Sequence, residues 1–304
     1  MRSNVTFNSH GLKLAGHLYL PADFKDGERR AAILVCHPFG GVKEQTAGLY
    51  VERLAASGFV TLAFDAAYQG ESEGEPRFLE DPFARAEDIK SAVNYLSNLA
   101  QVDPLRIGAL GICAAGGYVP YTAQTERRIK AVAAVSGTDM GMLFREGLGG
   151  GGSAAALREL LDEVGLQRSR EARGDPARLD PVVPHTPAEV ADGTPTLYRE
   201  GSDYYRTARG QHPNSPNKYL FTSIDRIAAY ASYERVDLIS PHPLLLIAGT
   251  EADTRYFSEL AYAKAHEPKE LFLVDGASHV DLYDKPQYVG PAVDKLTAFF
   301  TRYL

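Results

Sequence analysis

Cysteine is scarce in this chain: its 304 residues contain only Cys36 and Cys113. Two cysteines make no disulfide framework, which points to a reducing, cytoplasmic setting. A basic excess is also missing. The 32 Lys and Arg are outnumbered by 39 Asp and Glu, for a net charge of −7, and non-specific nucleic-acid binding needs the opposite balance. No apolar run reaches the roughly 18 residues of a membrane span. Met1 to Phe7 lack the apolar core of a secretory signal. No His/Cys/Asp cluster has metal-ligand spacing, and no glycine-rich loop has the spacing of a phosphate or dinucleotide site. Neither cofactor nor metal is therefore expected. What the chain does have is ordinary for a soluble globular protein: 44% hydrophobic and 23% charged residues, enough to bury a large core.

The pattern along the chain is alternating β and α. Val5 and Phe7 alternate with polar residues, Ser9-His10-Gly11 supplies a turn, and Leu12 to Leu20 continues as an antiparallel partner. Ala31 to Cys36 is a short apolar run without alternation, as in a strand covered on both faces. A helical pattern follows over Thr46 to Ser57, then a strand over Phe59 to Phe64 and a helix over Arg85 to Ala100. Leu105 to Leu110, Ala131 to Val135, Pro243 to Ala248 and Leu271 to Val274 read as further strands, and Tyr288 to Tyr303 as a last helix. Such alternation implies right-handed crossovers and a mostly parallel central sheet flanked by helices. The segment 140–235 has a different character, with the run Gly149 to Gly152, a helix-like Ala154 to Val164 and a proline-rich stretch. It is expected to form an inserted helical cap on a core made of 1–139 and 236–304, because long insertions with their own helices are usually lids or binding elements.

The chemistry is concentrated just past the predicted strands. Gly111-Ile112-Cys113-Ala114-Ala115-Gly116-Gly117 surrounds one nucleophilic side chain with small residues. It resembles the nucleophile elbow of α/β hydrolases, a sharp strand-to-helix turn. In those enzymes the chain order is nucleophile, acid, histidine. Asp253 follows one late strand and His279 follows the last, so Cys113, Asp253 and His279 are the expected catalytic set. Glu251 and Asp281 are the nearest rivals for the acid. The oxyanion donors are expected to be the backbone N–H groups of Ala114 and of Phe39, in the loop His37-Pro38-Phe39-Gly40-Gly41, with Gly40 as second choice. Pro38 has no N–H to give, and His37 reads as a side chain that holds this loop. Tyr68 and Tyr118 are candidates for substrate contact, although Tyr68 lies in a loop that reads first as a turn around Gly70. Asp88 is expected to be a structural acid and Cys36 a packing residue. His185, His212 and His242 lie beside loop prolines and carry no assigned role.

Taken together, these motifs resemble the dienelactone-hydrolase-like and polyketide-transferase-like branch of the α/β hydrolases. The resemblance runs through Phe64-Asp65 to Ser72, Gly111 to Tyr118, Tyr204-Tyr205-Arg206, His212 to Asn217, Ala248 to Ser258 and Asp275 to Asp284. It implies the α/β-hydrolase fold and hydrolase or esterase activity, with Ser or Cys at the elbow. Dienelactone hydrolases proper also use an elbow cysteine, but they are shorter and place one residue between it and the double glycine. Here Ala114 and Ala115 both intervene, which weighs against a dienelactone substrate.

The expected reaction is hydrolysis of a small-molecule carboxyl ester through a thioester on Cys113. His279 would activate the thiol, with thiolate populated near neutral pH, and Asp253 would fix the imidazole. A thiolate is itself a good leaving group, so activated or short-chain esters, lactones and thioesters are favoured over amides. Acyl transfer or thioester hydrolysis on the same residues is the first rival, and a non-catalytic ligand-binding protein the second. The sequence leaves the oligomeric state open, a homodimer included.

Overall fold

The computed structural model describes residues 1–304. Eight strands form one sheet in the order β1-β2-β4-β3-β5-β6-β9-β10. They are β1 (Arg2–Ser9), β2 (Leu12–Tyr19), β3 (Arg30–Cys36), β4 (Val60–Phe64), β5 (Val102–Ile112), β6 (Ile129–Val135), β9 (Leu244–Gly249) and β10 (Lys269–Val274). β1 and β2 are antiparallel to each other, and β2 is antiparallel to β4. From β4 to β10 every neighbouring pair is parallel. The expected mostly parallel α/β-hydrolase sheet is therefore present.

Burial explains the apolar runs. All five residues of β4 and all six of β9 are buried, as parallel strands covered on both faces require. Side chains alternate between two cores. Leu34, Leu62, Ala109 and Leu246 face α2 (Pro82–Ser97), α3 (Ala115–Ala123) and α8 (Arg255–Lys264). Ile33, Leu110, Leu245 and Ile247 face α1 (Thr46–Ala56) and α10 (Pro286–Tyr303). Helix α2 begins three residues earlier than the periodicity suggests. Asp81 accepts from the Phe83 and Ala84 amides and Pro82 occupies the first turn, a cap worth about 1 kcal/mol.

Register puts the chemistry on one edge. Cys36 is level with Phe64 on one side and Gly111 on the other, Gly111 with Ala134, and Val135 with Ile247. The loops after β3, β5, β6, β9 and β10 consequently leave the sheet side by side. β3 has β4 on one flank and β5 on the other, so the chain reverses its direction of travel there. In open α/β sheets, ligands bind outside the carboxyl ends of the strands at such a point.

Between β6 and β9 the chain leaves the sheet. This excursion carries α4 (Met140–Glu146), α5 (Ala154–Glu171), the ribbon of β7 (Leu179–Asp180) with β8 (Tyr219–Leu220), α6 (Thr196–Arg206) and α7 (Ile224–Ala228). Asp139 ties its two ends together, accepting from Met142 N at 3.0 Å and Ser232 N at 2.9 Å. Helix α5 buries only Val164 and Gln167, so it shields its neighbours Phe221 and Ile224 and does not reach the sheet edge. Among the described residues, no helix is long and apolar enough to cross a membrane.

Candidate active site

Cys113 stands between β5 and α3 with φ of +57°. An L-residue in that region is strained, and its surroundings must hold it there. Its amide donates to Val135 O at 3.0 Å, and its carbonyl accepts from Gly116 N at 2.8 Å and Thr138 N at 3.0 Å. Two glycines make the turn possible. A Cβ on Gly111 would lie 1.9 Å from Ala115 O, and one on Gly116 would lie 2.5 Å from Gly137 Cα. The chain thus turns too tightly for any other residue, and the thiol is pushed out of the sheet at the N-terminus of α3.

The sulfur opens into a cavity of about 300 Å³. Its walls come from the excursion (Met140, Leu143, Phe144, Val182, Leu197, Tyr198, Tyr205, Tyr219) and from Phe39, Val280 and Tyr283 of the core. No Asp, Glu, Lys, Arg or His is among the lining residues. Burial pushes the Cys113 thiol up, an effect partly offset by the nearby Tyr283 hydroxyl and the Ala114 and Phe39 amides, while the buried Thr138 hydroxyl has no hydrogen-bond partner. The two amides are those expected to serve an oxyanion.

The loop carrying Phe39 is braced from below. His37 donates from Nδ1 to Pro38 O at 2.8 Å, and its Nε2 accepts from Ala66 N at 3.2 Å and faces Arg85 Nη1 at 3.0 Å. Burial and the Arg85 charge hold this imidazole neutral, well below its ordinary range. Arg85 forks onto Glu80 at 3.1 and 3.0 Å, and Tyr118 donates to the same carboxylate at 2.9 Å. Removing one partner of so deeply buried a pair costs about 3–5 kcal/mol. His37 therefore holds the loop, as its position suggests. Tyr118 belongs to this brace and not to the cavity wall. Tyr68 lies in a separate cleft with Ser9, His10 and Asp88, so neither tyrosine stands where substrate contact at Cys113 would need it. Asp88 accepts from Ser9 Oγ at 2.7 Å and Ala67 N at 2.8 Å, tying β1 to the loop after β4.

His279 is fully buried behind the wall. Its carbonyl accepts from Ser136 Oγ at 3.0 Å. Its Nε2 faces Tyr283 Oη at 3.2 Å, and its Nδ1 faces Thr254 Oγ1 at 2.6 Å. Asp253 is absent from its partners. That carboxylate accepts instead from Leu197 N of α6 at 2.9 Å, and its other oxygen is buried without a partner. The turn after β9 presents the side chain one residue further on, so Thr254 occupies the place expected of the acid. Glu251 is exposed. Asp281 accepts from Ser278 N at 3.2 Å and pairs with Lys285. Burial pushes His279 down to about 3. With the thiol pushed up and the imidazole down, the resting pair is neutral at pH 7, unlike the expected resting thiolate.

Tyr283, Thr254 and Thr138 are absent from the sequence-derived set. Tyr283 carries a signal in retrospect: it follows His279 by four residues, a spacing that brings side chains together over one turn of chain, here from the turn at His279 into α9 (Asp281–Asp284). Among the described residues, the carboxylates of Glu44, Asp65 and Glu71 are the group close enough to share an ion. Lys43 Nζ already bridges them at 2.6, 2.8 and 2.7 Å.

The sheet order, the elbow and the loop facing it define an α/β hydrolase. Within that class, the chain is similar to the dienelactone hydrolase family, whose model matches residues 14–143. It is 38% identical to the uncharacterized protein YcjY of Escherichia coli K12, over 99% of this chain and 98% of that protein. It is 41% identical to the uncharacterized protein PA2218 of Pseudomonas aeruginosa, over 99% of this chain and 80% of that protein. The crystal structure of PA2218 superposes with a TM-score of 0.93, covering 100% of this chain and 94% of the other. More distant relatives carry enzyme names. Acyltransferase drtE of Aspergillus calidoustus is 24% identical over 98% of this chain and 96% of that protein. Thiohydrolase aneE of Aspergillus aculeatus is 35% identical over 41% of this chain and 38% of that protein. The protein is thus a hydrolase-type enzyme whose homologues include hydrolases and acyltransferases.

Proposed function

We propose that the protein is a carboxyl-ester hydrolase that forms a thioester on Cys113. One observation carries this reading: a strained Cys113 at the N-terminus of α3 faces the cavity, with Phe39 in the cavity wall and the Phe39 and Ala114 amides beside it. When the sulfur attacks an ester carbonyl, the carbonyl oxygen becomes an anion beside those amides, and fixed donors there lower the barrier. His279 is the base that accepts the thiol proton and returns it to the leaving alcohol. Water then releases the acid and regenerates the thiol. Because the resting pair is neutral, proton removal accompanies attack and does not precede it. Asp253 enters through the cap, holding the first turn of α6 against the core, while Thr254 takes the imidazole Nδ1.

The cavity supports a substrate class. A wall without charged side chains suits an uncharged acyl group, and its volume suits a short or medium chain or a single aryl ring. No cationic group is there to meet a substrate carboxylate. A second reading, transfer of the acyl group to an alcohol, amine or thiol, draws on the relatives named for thiohydrolase and acyltransferase activity. Product analysis with and without an acceptor separates the two.

The test is a series of p-nitrophenyl esters of increasing acyl length. A burst of nitrophenol equal to the enzyme concentration is expected, abolished in Cys113→Ala. Iodoacetamide should modify Cys113 far faster than Cys36, which is sealed in the core with its thiol pushed well up by burial. Full hydrolysis by Cys113→Ala sinks the proposal.

A further inference from the structure

We infer that Ser215 is a positioning residue that aims the Phe39 amide at the forming oxyanion. This rests on the reading of Phe39 as an oxyanion donor and goes beyond it, because Ser215 lies outside the sheet, in the excursion between β6 and β9. It acts through two peptide planes. The Ser215 hydroxyl donates to Gly40 O at 2.6 Å. That carbonyl shares its peptide with the Gly41 N–H, which donates to Pro38 O at 3.1 Å. The Pro38 carbonyl in turn shares its peptide with the Phe39 N–H. Neither peptide is cis, and in a planar trans peptide the C=O and N–H point opposite ways. Holding Gly40 O therefore directs the Gly41 N–H, and holding Pro38 O directs the Phe39 N–H.

The line is anchored at both ends. On the core side, His37 Nδ1 donates to the same Pro38 oxygen at 2.8 Å. With the Gly41 N–H it fills both lone pairs of that carbonyl. His37 and Ser215 thus hold one turn between them, and Gly40 closes it with the positive φ, +68°, that such a turn needs. Neighbours of Ser215 press on the same turn. A Cβ on Gly40 would lie 2.8 Å from Val182 Cγ2, and the Phe39 ring packs against Tyr219 at 5.2 Å. Asn217 accepts from Val183 N at 3.0 Å and donates to Val183 O at 2.8 Å, which fixes Val182 over Gly40.

The consequence is for rate more than for binding. A fixed N–H gives most of its benefit when negative charge develops on the carbonyl oxygen, so misdirecting it slows attack and leaves the bound ester little affected. Ser215 is buried. Its own amide donates to His212 O at 3.0 Å, and Pro216 follows it. Its backbone path is therefore set without the hydroxyl, and alanine can take its place in the chain.

The test compares two reactions of Cys113 in the wild type, Ser215→Ala and Ser215→Thr. Acylation, read as the nitrophenol burst with p-nitrophenyl butyrate, passes through an oxyanion. Alkylation by iodoacetamide does not. Losing an oxyanion donor outright costs about 10²–10³ in rate. The ratio of burst rate to alkylation rate should therefore fall at least about tenfold in Ser215→Ala, with KM nearly constant, and stay within about twofold of wild type in Ser215→Thr. An unchanged ratio in Ser215→Ala overturns the role even if both rates fall, since general loosening slows both alike. An equal fall in Ser215→Thr, which keeps the hydroxyl, overturns it too. Butyraldehyde gives a second measurement, because its thiohemiacetal on Cys113 puts an oxygen where the oxyanion forms. Its inhibition constant should rise in Ser215→Ala by the factor lost from the burst, and an unchanged constant overturns the role. An active Cys113→Ala enzyme would remove the nucleophile itself, whereas an unchanged ratio in Ser215→Ala with inactive Cys113→Ala removes only the positioning role.

Discussion

Cys113 and His279 are held by different kinds of structure. The cysteine is fixed by backbone: a positive φ, amide bonds to Val135 and Thr138, and glycines at positions 111 and 116 where a Cβ would collide. The donors proposed for its oxyanion are also backbone amides. The histidine is fixed by side chains, Thr254 on one nitrogen and Tyr283 on the other. Thr254 comes from the β9 turn, whose next residue back, Asp253, holds the first turn of α6. The first region is set by main-chain geometry. The second depends on which side chain of a loop reaches the ring, and on where α6 sits.

The difference separates what is legible in sequence from what is not. Runs of small residues after an apolar strand report a forced backbone turn, because few other residues fit it. The elbow, the Phe39 loop and the parallel sheet are therefore readable from Gly111 to Gly117, His37 to Gly41 and the unbroken apolar strands. The helix starts are readable less closely, since a cap such as Asp81 adds residues that periodicity does not count. The partner of a loop histidine is another matter. Asp253 and Thr254 are neighbours with equal claim on Nδ1, and only the path of the turn decides between them. Tyr118 is misplaced by sequence for a similar reason. It follows the elbow closely, but its hydroxyl is committed to Glu80 beneath the sheet edge.

Substitutions can break the contrast between the two regions, beginning with the largest expected effect. His279→Gln should lower kcat about 10³-fold while leaving the elbow intact, read as unchanged Cys113 accessibility to a small neutral alkylator at high pH. Thr254→Val should lower kcat about tenfold by freeing the imidazole, with KM nearly constant. Asp253→Asn should act less on kcat and more on KM, because its carboxylate holds Leu197 N–H of α6, a helix that lines the cavity. Steady-state kinetics on both variants tests this order, and the reverse order would restore Asp253 as the orienting acid. On the elbow side, Gly116→Ala should destabilise the fold by about 1–3 kcal/mol, measured by urea unfolding.

A pH experiment reads stability instead of rate and sharpens the description of the histidine side. His279 titrates at about 3 when folded, against 6.5 as its ordinary value. Its neutral form is the one the fold favours, so its contribution to stability is full above about pH 6.5. That contribution is lost as pH falls towards 3, because the unfolded chain binds the proton first. Unfolding midpoints between pH 7 and 4 should therefore drop more steeply for wild type than for His279→Gln. Equal slopes would mean that the imidazole is not sealed from water.

The most direct measurement of the central claim is mass spectrometry of the enzyme quenched during the burst with p-nitrophenyl butyrate. The account predicts a butyryl group on the peptide carrying Cys113, removed by hydroxylamine as a thioester would be. Continued turnover with no acyl group on that peptide, or an acyl group on another residue, would contradict it.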